Sequence, residues 1–189
     1  DVIMVGEIRD TETAKVAINA ALTGHLVLST LHTNNAAGSF PRLLDLEVNP
    51  KVISSALNIS IAQRLVRKLC DNCKKEMPLI DKAKETVERI ISGIEDKSYL
   101  EGVQREKVWA PVGCPKCSGL GYKGRIGVFE AILVDGAIEK AGITNPSERD
   151  IRETAKSQKL LTLEQDGILK ALSGITTLDE LDRVVDLSI

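Results

Sequence analysis

The feature that most restricts the fold of this 189-residue chain is a set of four cysteines arranged as two C-x-x-C pairs. Cys70 and Cys73 form the first pair, and Cys114 and Cys117 form the second. In each pair a tight turn directs both sulfurs at one point, and two such knuckles complete the tetrahedral set of four thiolates that Zn²⁺ accepts. The long segment between the pairs is compatible with a shared site, because loop-closure entropy grows slowly with length.

Two disulfides, or four unrelated buried thiols, are the alternatives to a metal site. The sequence has no run of about eighteen apolar residues and no charged-then-apolar leader, so neither a spanning helix nor a signal peptide is predicted. The expected compartment is the cytosol, where stable disulfides are disfavoured. We predict one structural zinc ion held by all four cysteines, in a small module within a larger cytoplasmic protein.

The overall charge gives no sign of a polyanionic partner. The chain carries 25 basic and 27 acidic residues, a net charge of −2, so a charged partner must be recognised locally. Nucleic-acid binding near the first cysteine pair is an alternative, but it normally uses interleaved aromatic residues, which are only 3% of the chain. The basic residues there would in any case offset the charge of a zinc tetrathiolate: Arg64, Arg67, Lys68, Lys74 and Lys75.

The N-terminal part has the pattern of a strand, a helix and a second strand. The apolar run Val2–Val5 suits a strand covered on both faces. Residues 12–23 repeat small and apolar side chains at helical spacing, with Asp10 or Thr11 as the N-cap. A second apolar run over 25–31 completes a β-α-β unit, so a parallel sheet is expected.

After residue 31 the sequence no longer repeats the strand–helix–strand pattern. Two helices are predicted over 36–46 and 52–69, followed by a separate module over 70–122 that contains a charged helix at 81–94. A strand is predicted over 125–134. The remaining tail is predicted to be helical, with breaks at two glycines and with five apolar residues in its core: Gly167 and Gly174, and Leu160, Leu163, Ile168, Leu169 and Leu172.

A titratable residue follows each of the two N-terminal strands, Glu7 the first and His32 the second. Ligands of open α/β sheets bind beyond the carboxyl ends of the strands. A glutamate there could activate a water that attacks a γ-phosphate, and an acidic strand end is also available to Mg²⁺. On the residues alone, a capping glutamate and a structural histidine explain the pattern equally well.

Residues 1–189 contain no phosphate-binding G-x-x-x-x-G-K-S/T loop. A nucleotide hydrolase built on this sheet would therefore carry that loop upstream. The chain has no initiator methionine and opens within a predicted buried strand, a position where native domains rarely begin. We interpret the sequence as a C-terminal piece of a longer protein.

Several motifs, in order, resemble those of the type II secretion and type IV pilus assembly ATPases. Residues 1–14 (DVIMVGEIRDTETA) are similar to the Walker B region of that family, and residues 24–34 (GHLVLSTLHTN) to its histidine box. The likeness weakens only over 78–109. It continues through both cysteine pairs and three further stretches: 62–67 (AQRLVR), 121–130 (GYKGRIGVFE) and 174–180 (GITTLDE).

Together with the cysteine pattern, the resemblance implies an α/β fold in three parts. Residues 1–68 are expected to be the C-terminal part of a RecA-like P-loop ATPase core. Residues 69–125 are expected to form a tetracysteine zinc subdomain with a charged insertion, and residues 126–189 a mainly helical C-terminal domain. The metal-binding subdomain occurs in the secretion and pilus extension branches and not in the retraction motors, which favours an assembly motor.

The resemblance also implies roles for individual residues. Glu7 matches the Walker B glutamate, taken as the group that polarises the attacking water, and His32 matches the histidine placed to contact the γ-phosphate. Arg9 and Asp10 complete the Walker B signature with structural or positioning roles, Arg9 at the nucleotide. The implied cofactors are a structural Zn²⁺ in this chain, and ATP and Mg²⁺ in the full-length protein.

Proteins of this family are implied to work as homohexamers on the cytoplasmic face of the inner membrane, peripheral to it. They dock on membrane platform proteins, do not bind nucleic acid, and use ATP hydrolysis to power pseudopilus or pilus assembly and protein secretion. Without a phosphate loop, residues 1–189 alone are expected to be inactive. The alternative is a zinc-clipped, non-catalytic adaptor or binding module, which would lack an intact phosphate loop upstream.

Overall fold

The computed structural model describes residues 1–185 and residue 187. Two parallel strands, β1 (Val2–Val5) and β2 (Leu26–Ser29), pair in register from Val2 opposite Leu26 to Val5 opposite Ser29. Helix α1 (Thr11–Leu22) connects them. The predicted β-α-β unit and its parallel sheet are therefore confirmed.

Helix α1 begins where the sequence signals predict. The Asp10 carboxylate accepts the backbone N–H of Thr13 at 2.8 Å, which satisfies one of the free donors of the first turn. Ala14 and Ala17 bury one face of the helix. The prediction that β1 is covered on both faces is wrong for this chain, because Val2 is 65% exposed and Met4 81%.

The helix predicted over 52–69 is wrong for most of its length. Short helices α2 (Ser39–Asp45) and α3 (Pro50–Ala56) are followed by an extended strand, β3 (Ile59–Leu69). This strand pairs with β6 (Tyr122–Leu133), which lies far away in the sequence. Burial alternates along the first half of β3 with a period of two, so packing against a distant partner overrides the local helical tendency.

Strands β3 and β6 form a two-stranded ribbon and run antiparallel. At one end Val134 donates its N–H to the carbonyl of Asn58 at 2.9 Å, and at the other Cys70 donates to the carbonyl of Gly121 at 2.9 Å. The predicted strand at 125–134 is thus confirmed and begins three residues earlier than expected, at Tyr122.

Between the cysteine pairs lies a small α/β insertion. Strands β4 (Lys75–Pro78) and β5 (Lys107–Ala110) pair antiparallel, and helix α4 (Asp81–Ser92) lies between them in the chain, as predicted for 81–94. A short 3₁₀ helix, Lys97–Leu100, completes the insertion, and a second one, Pro115–Cys117, lies within the second cysteine pair.

The C-terminal part is helical, as predicted, with α5 (Gly136–Thr144), α6 (Glu148–Ala155), α7 (Leu163–Leu172) and α8 (Leu178–Val185). A 3₁₀ turn at Lys156–Gln158 follows α6. Of the two predicted breaks, only Gly174 follows a helix; Gly167 lies inside α7.

Most of the apolar residues assigned to the core of the tail are buried there. Leu163, Ile168 and Leu172 are at most 7% exposed, whereas Leu160 is 37% exposed. The prediction is therefore wrong for Leu160, which lies in the irregular segment before α7, and Leu169 is half-buried.

The chain groups into two compact units, each built from separate stretches of sequence. The first combines residues 1–62 with 131–160, and its fully buried side chains include Phe40, Ile53, Ile138 and Ile151. The second combines residues 63–130 with the described residues from 161 onward, and its core includes Val66, Leu69, Val87, Ile94, Ile168 and Leu181. These units cut across the three segments 1–68, 69–125 and 126–189, whose boundaries stay a prediction.

No helix within residues 1–185 combines the length and the hydropathy that a membrane crossing requires.

Candidate functional site

Three of the predicted site residues meet at the carboxyl ends of β1 and β2. The Glu7 carboxylate pairs through Oε2 with Arg9 Nε at 2.6 Å, and Nε2 of His32 lies directly against its Oε1. The Glu7 side chain is 22% exposed, while those of Arg9 and His32 are more than 70% exposed. The carboxylate therefore lies at the base of a polar cluster whose cationic and imidazole groups face solvent.

Backbone pairing beyond the two strands positions this cluster. The N–H of Ile8 donates to the carbonyl of Thr30 at 3.0 Å, and the Thr30 hydroxyl donates to the carbonyl of Gly6 at 2.8 Å. Ile8 is buried, which anchors the segment that carries Glu7. The loops after the two strands are thereby held side by side, and this arrangement brings Glu7 to His32.

The electrostatics of the cluster favour an ionised glutamate. The hydrogen bond from Arg9 lowers the pKa of Glu7 below its ordinary value, against the opposing effect of burial, and the charge of Arg9 adds to it. An ionised carboxylate accepts hydrogen bonds only, so Glu7 can hold and orient a water molecule or a hydrated cation.

Asp10 has a structural role that differs from the role of Glu7. Its carboxylate caps α1, and the backbone hydrogen bond from Thr13 lowers its pKa. Because that carboxylate is committed to the helix terminus, Asp10 belongs to the scaffold of this edge of the sheet.

The four cysteines converge on one point, as the sequence predicts. Their Sγ atoms all lie within 4.8 Å of one another, and none is in a disulfide. The Sγ distance is 3.9 Å between Cys70 and Cys114, 3.8 Å between Cys73 and Cys117, and 3.7 Å between Cys114 and Cys117. Tetrahedral coordination with Zn–S bonds of about 2.3 Å places sulfurs about 3.8 Å apart, so this donor set fits a zinc ion.

The second knuckle depends on left-handed backbone conformations. Ser118, Gly119 and Gly121 have φ values of 52°, 78° and 76°. A Cβ on Gly113 would come within 2.5 Å of the Gly119 carbonyl oxygen, and one on Gly121 within 2.4 Å of Pro111 Cβ. The glycines that follow Cys117 at alternate positions therefore allow the chain to fold tightly around the sulfur.

Backbone donors favour the thiolate form of Cys117. Burial raises the pKa of this thiol, but hydrogen bonds more than offset it and lower the pKa to about 6. They come from the N–H groups of Cys114 and Gly121, each 3.2 Å from Sγ, and from the thiols of Cys114 and Cys73. At Cys73 burial dominates and raises the pKa to about 11. A bound cation would supply the positive charge that the other thiolates require.

The basic residues near the first knuckle are largely paired with carboxylates. Lys68 and Lys74 both contact Asp71, at 3.2 and 3.3 Å, and Arg67 forms an ion pair with Glu180. Sequence reasoning missed both acidic partners. The i,i+3 spacing of Asp71 from each lysine was a local signal that could have revealed the first, whereas the partner of Arg67 lies in α8 and left no local trace.

Comparison with known proteins identifies the family. The family described as "Type II/IV secretion system protein" matches residues 1–183, nearly the whole chain. The chain belongs to this family. This secretion-system protein is 46% identical over 180 residues to the type IV pilus assembly ATPase PilB of Thermus thermophilus, covering 95% of the chain. It is 42% identical over 184 residues to the type II secretion system protein E of Aeromonas hydrophila, covering 97%.

Solved structures agree on the fold of this secretion-system protein. The pilus retraction motor PilT with bound ADP superposes on 97% of the chain with a TM-score of 0.61 at 24% identity. The Legionella pneumophila ATPase DotB superposes on 97% of it with a TM-score of 0.58 at 20% identity. The chain spans 19% of the length of the PilB relative and 34% of the type II relative. The resemblance to the type II secretion and type IV pilus ATPases is confirmed.

Proposed function

We propose that this secretion-system protein is the C-terminal part of a motor ATPase that powers pilus or pseudopilus assembly and protein secretion. The observation that carries the proposal is the cluster of Glu7, Arg9 and His32 at the carboxyl ends of two parallel strands. Its position is where open α/β sheets bind ligands, and relatives more than 40% identical are named ATPases of pilus assembly.

Each residue of the cluster has a role in this proposal. Glu7 accepts a hydrogen bond from the attacking water and aligns it, while Arg9 keeps the carboxylate ionised and fixes its orientation. His32 is largely exposed, and its Nε2 lies against the same carboxylate. When ATP binds, the imidazole would turn from Glu7 to contact the terminal phosphate. Bound ATP with Mg²⁺ would supply the phosphoryl group and the charge neutralisation that phosphoryl transfer needs.

The cysteine cluster completes the proposal as a structural zinc site. Cys70, Cys73, Cys114 and Cys117 would hold the ion and clip together the two chain segments that enter and leave the insertion. A four-thiolate site has no open coordination position, so its contribution is to stability and not to phosphate chemistry.

At the level of the whole protein, we propose a homohexamer in the cytoplasm, peripheral to the inner membrane and docked on platform proteins of a secretion or pilus system. Within the chain, we propose an ATPase core segment at 1–68, a zinc subdomain at 69–125 and a helical domain at 126–189. Because residues 1–189 contain no G-x-x-x-x-G-K-S/T loop, we expect this chain alone to be inactive as an ATPase.

The test is Glu7→Gln in the complete gene product. Gln keeps the shape of the side chain but loses its charge, so we expect ATP turnover to fall by about 100-fold or more while ATP affinity changes little. Glu12→Gln, an exposed glutamate in the first turn of α1, is the matched control and should leave turnover unchanged. Near-normal turnover in Glu7→Gln would make Glu7 structural. A wild-type gene product without ATP turnover would favour the non-catalytic adaptor.

A further inference from the structure

Residues 174–180, which comprise part of the linker after α7 and the first three residues of α8, contact the flanks of both cysteine knuckles. All of these contacts lie within the second compact unit. Most of the segment is buried, including Thr176, Thr177 and the carboxylate-bearing Glu180. Buried polar side chains are retained where their hydrogen bonds are satisfied, so the partners of these three residues are informative.

The residues that lead into the first knuckle are bound by backbone and hydroxyl contacts. Leu69, directly before Cys70, donates its N–H to the carbonyl of Ile175 at 2.8 Å. Two residues earlier, the carbonyl of Arg67 accepts the hydroxyl of Thr176 at 2.9 Å. The entry to the first knuckle is therefore paired with this segment.

The residue that leaves the first knuckle is held by the same segment. Lys74, directly after Cys73, donates Nζ to the carbonyl of Gly174 at 2.8 Å and lies 5.0 Å from the centre of the Trp109 ring. A Cβ on Gly174 would come within 2.6 Å of the indole nitrogen of Trp109. Only a glycine allows the carbonyl to reach Lys74 in this position.

The second knuckle is bound through Tyr122, which directly follows Gly121. The Tyr122 hydroxyl and the Thr177 hydroxyl form a hydrogen bond of 3.0 Å, and Thr177 Oγ1 also accepts the N–H of Glu180 at 3.1 Å. One threonine hydroxyl thus connects the N-terminal turn of α8 with the exit from the second knuckle.

Glu180 closes the network between the two knuckles. Its carboxylate accepts the Arg67 N–H at 3.2 Å and Arg67 Nε at 2.9 Å, and Arg67 Nη2 is within 2.5 Å. The guanidinium of Arg67 also stacks 4.3 Å above the ring of Tyr122. The strand before the first knuckle and the strand after the second are therefore both fixed to α8.

We infer that residues 174–180 are an outer support of the metal site, with Thr177 and Glu180 as positioning residues that set how tightly the four cysteines hold zinc. This inference rests on the proposed zinc site. Four thiolates repel one another, so they share an ion only if both knuckles keep their sulfurs at the positions of a tetrahedral site. Hydrogen bonds that fix the knuckles from outside keep that geometry, as outer-sphere partners do in other metal sites. Zinc binding and the docking of α8 are then linked, each favouring the other.

The experiment measures how fast zinc leaves the zinc-loaded complete chain when a colorimetric chelator is added. We expect Thr177→Val to release zinc about tenfold faster than the wild type and Thr177→Ser, which restores the hydroxyl, to release it at the wild-type rate. Glu180→Gln should also release zinc faster. Asp179→Asn, an exposed neighbour on the same helix, is the matched control and should leave the rate unchanged.

A second comparison separates positioning from general destabilisation. Ile168→Val removes a methylene from the core of the same unit and leaves every residue of 174–180 unsubstituted. It should lower Tm while leaving the zinc release rate unchanged. If Ile168→Val accelerates release as much as Thr177→Val at an equal loss of Tm, the positioning role is overturned.

The remaining outcomes are also decisive. A wild-type chain that takes up no zinc overturns the metal site itself. A wild-type chain that binds one zinc, with Thr177→Val releasing it at the same rate, overturns only the positioning role. If Thr177→Val does not fold, Tyr122→Phe removes the other hydroxyl of the same hydrogen bond, and wild-type release in that variant overturns the inference.

Discussion

Glu7 and Asp10 lie three residues apart, and both have a lowered pKa, yet the two carboxylates have different uses. The Asp10 carboxylate caps the first turn of α1, whereas the Glu7 carboxylate contacts Arg9 and His32 at the edge of the sheet. The sequence predicts Asp10 or Thr11 as the N-cap of the helix, and for Glu7 it leaves a cap and a catalytic group as alternatives. Their partners distinguish them: a backbone donor satisfies the capping carboxylate, whereas the candidate catalytic carboxylate lies next to exposed side chains.

Cys114 provides a single-residue test of the proposed zinc site. Cys114→Ser replaces one thiolate with a hydroxyl that stays protonated at neutral pH, so the remaining ligands hold zinc weakly. We expect zinc content to fall from about one ion per chain to well below one, and Tm to fall with it. Metal analysis of protein purified under reducing conditions without chelator provides the measurement. Wild-type protein that contains no metal would contradict the proposed zinc site itself.

Among the secondary-structure elements, α7 shows how packing overrides propensity. Gly167 lies inside this helix, where Gly→Ala normally stabilises by about 0.5–1 kcal/mol. Here a Cβ would come within 2.3 Å of Leu181 Cδ1 and 3.0 Å of its Cγ, and Leu181 is fully buried and cannot withdraw.

We therefore predict that Gly167→Ala lowers the free energy of unfolding by about 1–3 kcal/mol, as overpacked cores do. Urea unfolding followed by circular dichroism measures the change. Gly136→Ala is the matched control, because Gly136 opens α5 with nothing within 4 Å of its Cβ position. A gain of stability in both variants would show that α8 can move away from α7.

The ion pair between β3 and α8 makes stability depend on pH. The hydrogen bonds from Arg67 are the largest effect on Glu180 and lower its pKa below the ordinary 4.5, and the side chain is only 8% exposed. A carboxylate with a lowered folded-state pKa stabilises the fold above its unfolded pKa, and this contribution is lost as pH falls through the folded pKa.

We expect Glu180→Gln to cost about 1–3 kcal/mol of unfolding free energy at pH 7, because Arg67 loses its charged partner. The difference between wild type and variant should begin to shrink as pH falls below 4.5, where Glu180 of the unfolded chain takes up a proton. It should disappear as pH falls through the lower pKa of the folded state. Urea unfolding at a series of pH values tests this. A difference that is constant from pH 7 to pH 3 would mean that the charge of Glu180 does not contribute.

For the chain as a whole, the two compact units define how far the effect of the proposed zinc ion would extend. All four cysteines belong to the unit formed by residues 63–130 and the described residues from 161 onward. The other unit has its own core around Phe40, Ile53, Ile138 and Ile151. Loss of a structural metal opens the part of a protein that the metal crosslinks, so the two units should respond differently.

We predict that removal of zinc with a chelator accelerates amide hydrogen exchange over 63–130 by more than tenfold and leaves exchange over 1–56 nearly unchanged. Exchange followed by mass spectrometry of peptides measures both regions in one sample. Equal acceleration across the whole chain would show that the two units unfold as one cooperative body.

Local features of the chain were readable from the sequence because their causes are local. The N-cap of α1, the charged helix α4, the strand–helix–strand order and the C-x-x-C knuckles all depend on residues a few positions apart. The candidate site was predictable for the same reason, since the carboxyl ends of consecutive parallel strands must meet at one edge. The structure placed Glu7, Arg9 and His32 together there.

Long-range partnerships could not be read in this way. Strand β3 was mistaken for a helix because its partner, β6, follows only after the insertion. Arg67 and Tyr122 gave no sign that Glu180 and Thr177, far away in the chain, would bind them. Periodicity and capping are properties of neighbouring residues, so they specify elements and motifs. The partner of a strand and the contacts of a buried polar side chain depend on which distant segments share a core, and only folding brings those segments together.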